Sequence, residues 1–582
     1  MLPIGGRQTL CNWWMQVAKK KKKNKNGLLF VYVKKKQYLC SDYGFLCSLY
    51  ISRQRKVMRN LLLIIFVSLS LLLYAQEKVM VIADPHVLAS SLVEQGAAMD
   101  EMMAGQRKML DMSEEVFVAL IDTALAHKPA LVLIPGDLTK DGEVASHNVV
   151  VEQLERLRAA GINLLLIPGN HDIGGKAYAY QGSEKVAVDV LADTDWESQY
   201  AWVYGQAIAK DPQSHSYVAE PLRGVTVLGI DASHNAGEGY LSDETLAWVL
   251  QQADEARAKG NMVLAMCHWQ VLEHVDGGGL DADVTARLQN ADAVRDQLMA
   301  HGVRMLFTGH VHVNSISTYR DTLQMSGDSI MEISTGSPIT YPCPYRWLTL
   351  SQDRSTIAVE TYYLTTLTDY TDLTAYSREW MREHAKVMIP ALSVRLFDQA
   401  MGAIEDYIVK NVPMGSMVFQ MLKNSLPQTD AEKTKLVEKH IGSTIIELYL
   451  LHSEANEPEC VYADSLAQAL YDGVGNMMHE LTDATLQKYG SIQQAMIDIV
   501  NETMQPSVQS LVEDRTHWAS PYSDLTDDLS GAWVINEPMT YTIVESVTDN
   551  AEDGAIYDLL GRRVAETHYR GVYIQNGKKF IK

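Results

Sequence analysis

Two histidines lie two positions apart in the segment FTGHVHVN (307–314), directly after an apolar run that is typical of a buried strand. Side chains at i and i+2 of a strand share one face, so His310 and His312 are expected to point the same way. Four other polar clusters follow apolar runs in the same manner: Asp84-Pro-His86, Gly136-Asp137, Gly169-Asn170-His171-Asp172 and His268. Carboxylate, amide and imidazole groups without a thiolate cluster are suitable ligands for divalent transition metals.

Each cluster has a structural alternative when it is considered alone. A Gly-Asp pair at a strand end is also typical of a turn or a helix cap, and a single histidine after an apolar run is often a hydrogen-bonded core residue. The clusters nevertheless all lie at the ends of apolar runs. This shared position favours one common metal site over five unrelated turns.

The elements that position these clusters alternate between strand-like and helix-like patterns. Continuous apolar runs separated by helical segments are typical of a sheet that is buried on both faces. In α/β layers of this kind, sites collect where the strands end. The strand-like runs are 78–84, 130–137, 162–172, 224–231, 262–269, 303–310 and 330–337.

The ordered set Asp-x-His, Gly-Asp, Gly-Asn-His-Asp, a single His and Gly-His-x-His resembles the motifs of the calcineurin-like metallophosphoesterase superfamily. The resemblance covers about residues 78–350. It implies an α/β fold, a four-layer αββα sandwich, with two divalent transition-metal ions; Mn, Fe and Zn all suit these ligands. One ion would be bound by Asp84, His86 and His312, the other by Asn170, His268 and His310, and Asp137 would bridge the two.

Two further residues of the Gly-Asn-His-Asp motif are predicted to be catalytic. His171 has no metal in this assignment, so we assign it a hydrogen bond to the phosphoryl oxygens or to the leaving group. Asp172 would orient His171, although it could instead cap a following helix. In the segment TGSPITYPCPYRW (335–347), Tyr341 and Arg346 are candidates for a pocket wall, and Arg346 could equally hold a loop.

The N-terminal region differs in composition from the rest of the 582-residue chain. Residues 1–57 carry 13 Lys and Arg against one acid, Asp42, and are interpreted as a non-native or disordered basic extension. Residues 58–75 have the form of a signal peptide: a short basic start, an apolar core and a small residue, Ala75. An uncleaved anchor or a basic cytoplasmic extension remain alternatives. After cleavage no stable membrane span is expected.

Three segments are predicted after the signal peptide. Residues 76–368 form the metallophosphoesterase domain, 369–530 a helical domain with helical periodicity, and 531–582 a linker with a sorting-type β segment. Cys267, Cys343 and Cys460 are too few to form a disulfide framework.

The net charge of the chain restricts the classes of molecule that it could bind. The whole chain has a formal net charge of −22, and the basic residues 1–57 contribute +12, so the remainder carries −34. So acidic a surface repels phosphate backbones, which argues against nucleic acid and favours a small phosphate ester as the partner.

The helical region indicates a substrate class only through resemblance. A catalytic module followed by a helical domain is similar to bacterial cyclic-nucleotide phosphodiesterase-like enzymes, which implies phosphodiester hydrolysis on nucleotide-type substrates. A phosphomonoesterase or nucleotidase, and a non-catalytic surface-binding protein with a vestigial metal centre, remain open. The tail at 554–582 resembles type IX secretion sorting domains of Bacteroidetes, which implies the type IX machinery as a partner and an extracellular or cell-surface location, otherwise a periplasmic one.

Overall fold

The computed structural model describes most of the chain from residue 76 onwards. The predicted basic extension (1–57) and signal peptide (58–75) lie outside the described residues. The described residues are 76–233, 239–274, 287–320, 329–424, 426–454, 463–486, 493–502, 505, 522–524, 530–534, 556–557, 563–564, 572–575 and 578–581.

The strands of the described residues form two large sheets and two small ones. The first large sheet has the order β16-β14-β13-β1-β2-β3, and the second has the order β15-β11-β12-β10-β9-β8-β7-β6. The strands are β1 Glu77–Val81, β2 Leu131–Ile134, β3 Asn163–Leu166, β4 Ala177–Gln181, β5 Glu184–Val188, β6 Ala207–Lys210, β7 Tyr217–Leu222, β8 Val225–Ile230, β9 Met262–Cys267, β10 Met305–Thr308, β11 Ser315–Arg320, β12 Ser329–Ser334, β13 Pro344–Leu350, β14 Thr356–Tyr363, β15 Tyr522–Asp524, β16 Ser530–Val534, β17 Ile556–Tyr557, β18 Arg563–Val564, β19 Val572–Gln575 and β20 Lys578–Ile581.

Helices connect the strands of the sandwich and then continue after it. The α-helices are α1 Ala97–Ala104, α2 Ser113–His127, α3 Val144–Ala159, α4 Trp196–Gln199, α5 Ala201–Tyr204, α6 Asp243–Ala258, α7 Ala291–Ala300, α8 Leu373–His384, α9 Ile389–Asn411, α10 Gly415–Lys423, α11 Asp430–Val437, α12 Ser443–Glu454 and α13 Ala463–Leu486, followed by a helix at 493–502. Short 3-10 turns lie at Ser90–Leu92, Leu110–Met112, Asp193–Asp195 and Ala385–Met388, and a π-helical turn lies at Glu438–Gly442.

The layers follow from the alternation of side chains along buried strands. In β9, Met262 and Met266 belong to the core that joins the two sheets. Val263 and Cys267 point the other way, into the core shared with α6 and α7. Because side chains alternate between the faces of a strand, a continuous apolar run serves both cores at once. The predicted α/β sandwich with helices outside its sheets is confirmed.

The helical region has an apolar core of its own. Ile404 and Ile408 of α9 pack with Leu450 of α12 and Met478 of α13, all buried. Tyr341 of the sandwich also belongs to this core. The sandwich and the helices lie within one compact unit, Gln76–Lys582. The predicted helical region after the sandwich is confirmed.

The predicted boundary at residue 530 differs from the structure. Strand β15 pairs with β11 of the second sheet, and β16 pairs with β14 of the first. Both strands are antiparallel to their partners, and each is the outermost strand of its sheet. After the helices the chain therefore returns to an edge of each sheet. Sequence periodicity missed this because each strand is short and its hydrogen-bond partner is more than 150 residues away. Strands β17–β20 then form a separate antiparallel sheet.

Within the described ranges, no single helix is long and apolar enough to span a membrane. The segments Leu373–Val387 and Ile389–Asn411 meet that criterion only when taken together, as a pair bent by 56°.

Candidate metal centre

The predicted site residues come from the carboxyl ends of strands in both large sheets. Neighbouring parallel strands β1, β2 and β3 end just before Asp84, Asp137 and Asn170. Parallel neighbours β9 and β10 of the second sheet end just before His268 and His310. Strand ends of adjacent parallel strands meet at one edge of a sheet, and here the edges of two sheets face each other. All seven predicted metal ligands and His171 therefore meet at one place.

One group of donors consists of Asp84, His86, Asp137 and His312. The Nε2 atom of His86 lies 2.9 Å from Nε2 of His312 and 3.4 Å from Oδ2 of Asp137. The Nε2 atom of His312 lies 3.6 Å from Oδ1 of Asp84. All four ligand atoms lie within 4.8 Å of one another, so one cation could contact all of them.

A second group shares Asp137 with the first and adds His268 and His310. The Nε2 atom of His268 lies 3.4 Å from Oδ2 of Asp137. Asn170 completes the group, because its Oδ1 lies 3.0 Å from both Nε2 of His268 and Nδ1 of His310. Asp137 therefore stands between two donor groups, as the predicted bridging carboxylate requires.

The backbone at the site adopts a conformation that non-glycine residues rarely adopt. Left-handed conformations cost L residues roughly 1 kcal/mol or more each. Five of the predicted ligands have a positive φ: Asp84 (51°), His86 (41°), Asp137 (51°), His310 (70°) and His312 (62°). Such concentrated strain is typical of functional sites, where the surrounding fold holds side chains in place.

Two glycines of the motifs let the backbone approach the carboxylates. A Cβ at Gly169 would lie 2.2 Å from Oδ1 of Asp137, and a Cβ at Gly309 would lie 2.2 Å from Oδ2 of Asp84. Neither position has room for a methyl group. The glycines beside the ligands are therefore required for packing, not only for turning the chain.

Burial determines which of these groups carry charge. Burial lowers the pKa of His86 and of His312, and the ammonium of Lys108 lowers both further. Both imidazoles are therefore neutral near pH 7, the form that binds metals. Burial raises the pKa of Asp84. Burial also opposes ionisation of Asp137, but the neighbouring histidines, His268 first, outweigh it and hold the pKa of Asp137 well below its usual range.

The donor set fits a divalent transition metal. The Oδ2 atom of Asp84 is buried and has no hydrogen-bond partner among the described residues, although buried carboxylate oxygens are normally paired. A cation is the partner that such an oxygen lacks. The donors are oxygen and imidazole nitrogen, while the thiol of Cys267 faces the helix layer, so Mn, Fe or Zn suits the site.

The relation predicted between His171 and Asp172 is not what the structure shows. Asp172 accepts hydrogen bonds from the backbone N–H and hydroxyl of Thr139 and from the N–H of Gly169. These bonds tie together the two loops that carry Asp137 and Asn170. Both oxygens of Asp172 are thus engaged by groups other than His171, so Asp172 supports the loops instead of orienting the histidine.

His171 is oriented by two neighbours that sequence reasoning missed. Its Nδ1 lies 2.7 Å from the carbonyl oxygen of Lys140 and 3.2 Å from Oδ1 of Asp141. Its backbone N–H donates to Oδ1 of Asp137 over 2.9 Å. Asp141 lies four positions after Asp137 in GDLTKDG, and this spacing was the available signal. His171 is about one-third exposed, so its other ring nitrogen can meet a substrate.

Tyr341 and Arg346, the two candidates for a pocket wall, form hydrogen bonds to other parts of the fold. Arg346 is fully buried and donates to the hydroxyl of Thr361 and to the carbonyl of Ser334, so it holds strands together instead of facing a substrate. The hydroxyl of Tyr341 donates to Glu454 of α12 over 2.8 Å. Tyr341 therefore links the sandwich to the helical region.

The fold and the site together define a class: an α/β sandwich whose candidate metal donors lie at the strand ends. Residues 77–314 match the family model of the calcineurin-like phosphoesterases. Over this part of the sandwich the chain is therefore similar to calcineurin-like phosphoesterases, and the match contains all seven predicted metal ligands. No curated protein matches the chain.

Solved structures with some similarity include two phosphatases. A dimetal phosphatase from Danio rerio is 15% identical, with a TM-score of 0.35, over 49% of this chain and 95% of its own. A purple acid phosphatase from yellow lupin (Lupinus luteus) seeds is 12% identical, with a TM-score of 0.33, over 50% of this chain and 52% of its own.

Proposed function

We propose that the chain is a dinuclear metal-dependent phosphoesterase that hydrolyses phosphodiester bonds, with nucleotide-type esters as substrates. The observation that carries this proposal is the pair of donor groups that share Asp137. Two divalent ions would be held by Asp84, His86 and His312 on one side and by Asn170, His268 and His310 on the other, with Asp137 common to both.

The donor set suits phosphate-ester chemistry. Two bound metals supply a hydroxide nucleophile near neutral pH and neutralise charge that develops on phosphorus. The side chains and backbone of the protein determine the charge of the site and the positions of the donors. The four imidazoles and the amide of Asn170 add no negative charge, so these ligands do not repel an anionic ester. The strained backbone keeps the donors in place before a substrate arrives.

His171 is the proposed proton donor, and it gives up the Nε2 proton of its imidazolium form, because the Nδ1–H is already donated to the Lys140 carbonyl. Its Nδ1 is engaged by the Lys140 carbonyl and Asp141, which sets the ring orientation and leaves Nε2 as the atom that meets the phosphoryl group or the leaving oxygen. The ring lies edge-on to His86, with centroids 4.9 Å apart, so the donor is adjacent to the first donor group. Asp141 replaces Asp172 as the orienting carboxylate.

A phosphomonoesterase or nucleotidase is the nearest alternative, because the same donors serve both reactions. A non-catalytic binding protein is a second alternative, which the complete set of donors disfavours. A nuclease is disfavoured by the net charge of −34 carried after residue 57.

Hydrolysis of bis-p-nitrophenyl phosphate and p-nitrophenyl phosphate by Mn²⁺-loaded protein distinguishes these activities. We expect turnover of the diester by the wild type and none above background by Asp137→Ala. Asp100→Ala, at an exposed position of α1, is the control and is expected to behave as the wild type. Equal rates for wild type and Asp137→Ala would favour the binding protein, and turnover of the monoester alone would favour the phosphomonoesterase.

We also propose that the chain is exported by the signal peptide at 58–75 and then passed by the type IX machinery to the cell surface or medium. The form of residues 58–75 and the tail at 554–582 support this proposal. Expression in a Bacteroidetes host with and without residues 554–582 tests it. The full chain is expected outside the cell and the truncated chain in the periplasm; the same location for both would refute the role of the tail.

A further inference from the structure

One carboxylate is fully buried in the second sheet and belongs to neither donor group: that of Glu332 in β12. Its neighbours in the strand, Ile330, Met331 and Ile333, are apolar and buried. Ile330 belongs to the core shared with α6 and α7, and side chains at i and i+2 share a face, so Glu332 faces the helix layer. Burying a carboxylate costs free energy unless its oxygens are paired, so the groups that pair with Glu332 indicate its role.

Glu332 holds the loop that follows His268. Its Oε2 accepts a hydrogen bond from the N–H of Val271 over 2.8 Å and another from the N–H of Leu272 over 2.6 Å. The Nε2 atom of His274, further along the same loop, lies 3.2 Å from Oε1 of Glu332. These contacts fix the backbone shortly after a predicted metal ligand.

The same carboxylate also contacts the strand that leads to His310. The hydroxyl of Thr308, the last residue of β10, donates to Oε1 of Glu332 over 2.8 Å. The N–H of the next residue, Gly309, donates to the carbonyl of His268 over 3.1 Å. The segments that carry His268 and His310 are thus joined to each other and to one buried carboxylate.

The backbone after His312 is held by a different contact. Two residues after His312, Oδ1 of Asn314 accepts a hydrogen bond from the N–H of Gly336 over 2.9 Å. The other members of the first donor group follow strands of the first sheet. A change at Glu332 should therefore displace ligands of the second donor group more than those of the first.

We propose that Glu332 is a positioning residue that sets the spacing of His268 and His310, and with it the affinity of the second donor group for a divalent metal. This inference rests on the proposed function, because it requires that both donor groups bind metal. Asp172 has the corresponding place between two loops of the first sheet. Residues that hold metal ligands in place without touching the ion change metal affinity by about 10- to 100-fold when they are replaced.

Mn²⁺ binding in two single-site backgrounds tests this role. His312→Ala keeps the second donor group, and His310→Ala keeps the first. In the His312→Ala background, Glu332→Met is expected to weaken Mn²⁺ binding by about 10- to 100-fold in equilibrium dialysis, because it removes both acceptor oxygens. In the His310→Ala background it should leave the affinity unchanged. Equal losses in both backgrounds, or no loss in either, would overturn the proposal.

Conservative variants separate positioning from a general loss of stability. In the His312→Ala background, Glu332→Gln keeps one acceptor oxygen and should bind Mn²⁺ with an affinity between those of Glu332→Met and its parent. Thr308→Val removes one donor with little change of shape and should weaken binding, whereas Thr308→Ser should not. Glu360→Met, at an exposed position of β14, is the matched control. Equal affinities of Thr308→Val and Thr308→Ser would contradict the role of this contact.

Hydrogen exchange of the metal-free protein separates this inference from the proposed function. In Glu332→Met the amide protons of Val271 and Leu272 should exchange at least about 5-fold faster than in the wild type, as for the loss of a buried hydrogen bond. Mass spectrometry of peptides that contain both residues measures the rates. If the wild type binds no Mn²⁺, the proposed function fails, while the exchange rates still decide whether Glu332 holds the loop. Unchanged exchange would refute that role even in a protein that binds two ions.

Discussion

The Nε2 atoms of His86 and His312 lie 2.9 Å apart although 226 positions separate the two residues in the sequence. Two neutral imidazoles that present ring nitrogens to one point, beside two carboxylates, are a candidate cation site. This relationship defines the first donor group and gives the most direct test of the proposed dinuclear centre.

Replacing His312 with Ala is expected to remove one metal ion and leave the other. Only the first donor group contains His312, while Asp137, His268, His310 and Asn170 remain. Elemental analysis should therefore find about one ion per chain in place of about two, and ester hydrolysis should fall by at least about 100-fold. Two ions per chain in the variant would contradict the assignment of His312.

Asp172 and Asp141 are expected to give opposite results when each is changed to Asn. Asp172→Asn weakens the buried bonds to Thr139 and Gly169 and should lower the free energy of unfolding by roughly 1–3 kcal/mol. Asp141→Asn should leave stability nearly unchanged but lower kcat about 10-fold, since it weakens the orientation of His171. Urea unfolding and steady-state kinetics measure the two effects. The reverse pattern would restore Asp172 as the orienting residue.

Gly169→Ala is expected to damage the metal centre through its Cβ alone. The new methyl would lie 2.2 Å from Oδ1 of Asp137, so the carboxylate or the loop must move, at a cost of roughly 1–3 kcal/mol. Metal content and hydrolysis should both fall. Gly402→Ala is the matched control, because a Cβ there meets nothing within 4 Å and the helix should gain up to about 1 kcal/mol. Similar behaviour of the two variants would contradict the steric argument.

His147 is expected to make the folded state less stable as the pH falls from 6.5 towards 4. Burial lowers its pKa to about 4, and its ring bridges the Tyr200 hydroxyl and the Asp172 carbonyl. Between these pH values the unfolded chain binds a proton that the folded chain does not, so stability is present at higher pH and is lost by up to about 3 kcal/mol as the pH falls.

Urea unfolding at pH 7 and pH 4.5 of the wild type and His147→Gln measures this effect. The wild type should lose more stability on acidification than the variant, which has no imidazole to protonate at this position. His127→Gln, at an exposed position, is the control and should follow the wild type. An identical pH dependence of the wild type and His147→Gln would show that this histidine does not contribute.

Much of the fold was predictable because the pattern that creates it is local. Continuous apolar runs such as 262–267 supply both faces of a sheet, and the polar residues that follow them necessarily lie at its edge. The return of β15 and β16 to the two sheets was not predictable, since each strand is short and its partner is distant in the sequence. Short-range periodicity carries no information about such pairings.

The sequence by itself determined the kinds of metal donors and their positions at strand ends, since residue type and strand period are properties of the chain. Only the tertiary structure decided which candidate donors lie together in each group and that Asp141 and not Asp172 orients His171. Those relations depend on distances between atoms that are far apart in sequence. Such distances arise only when the sheets and helices pack against one another.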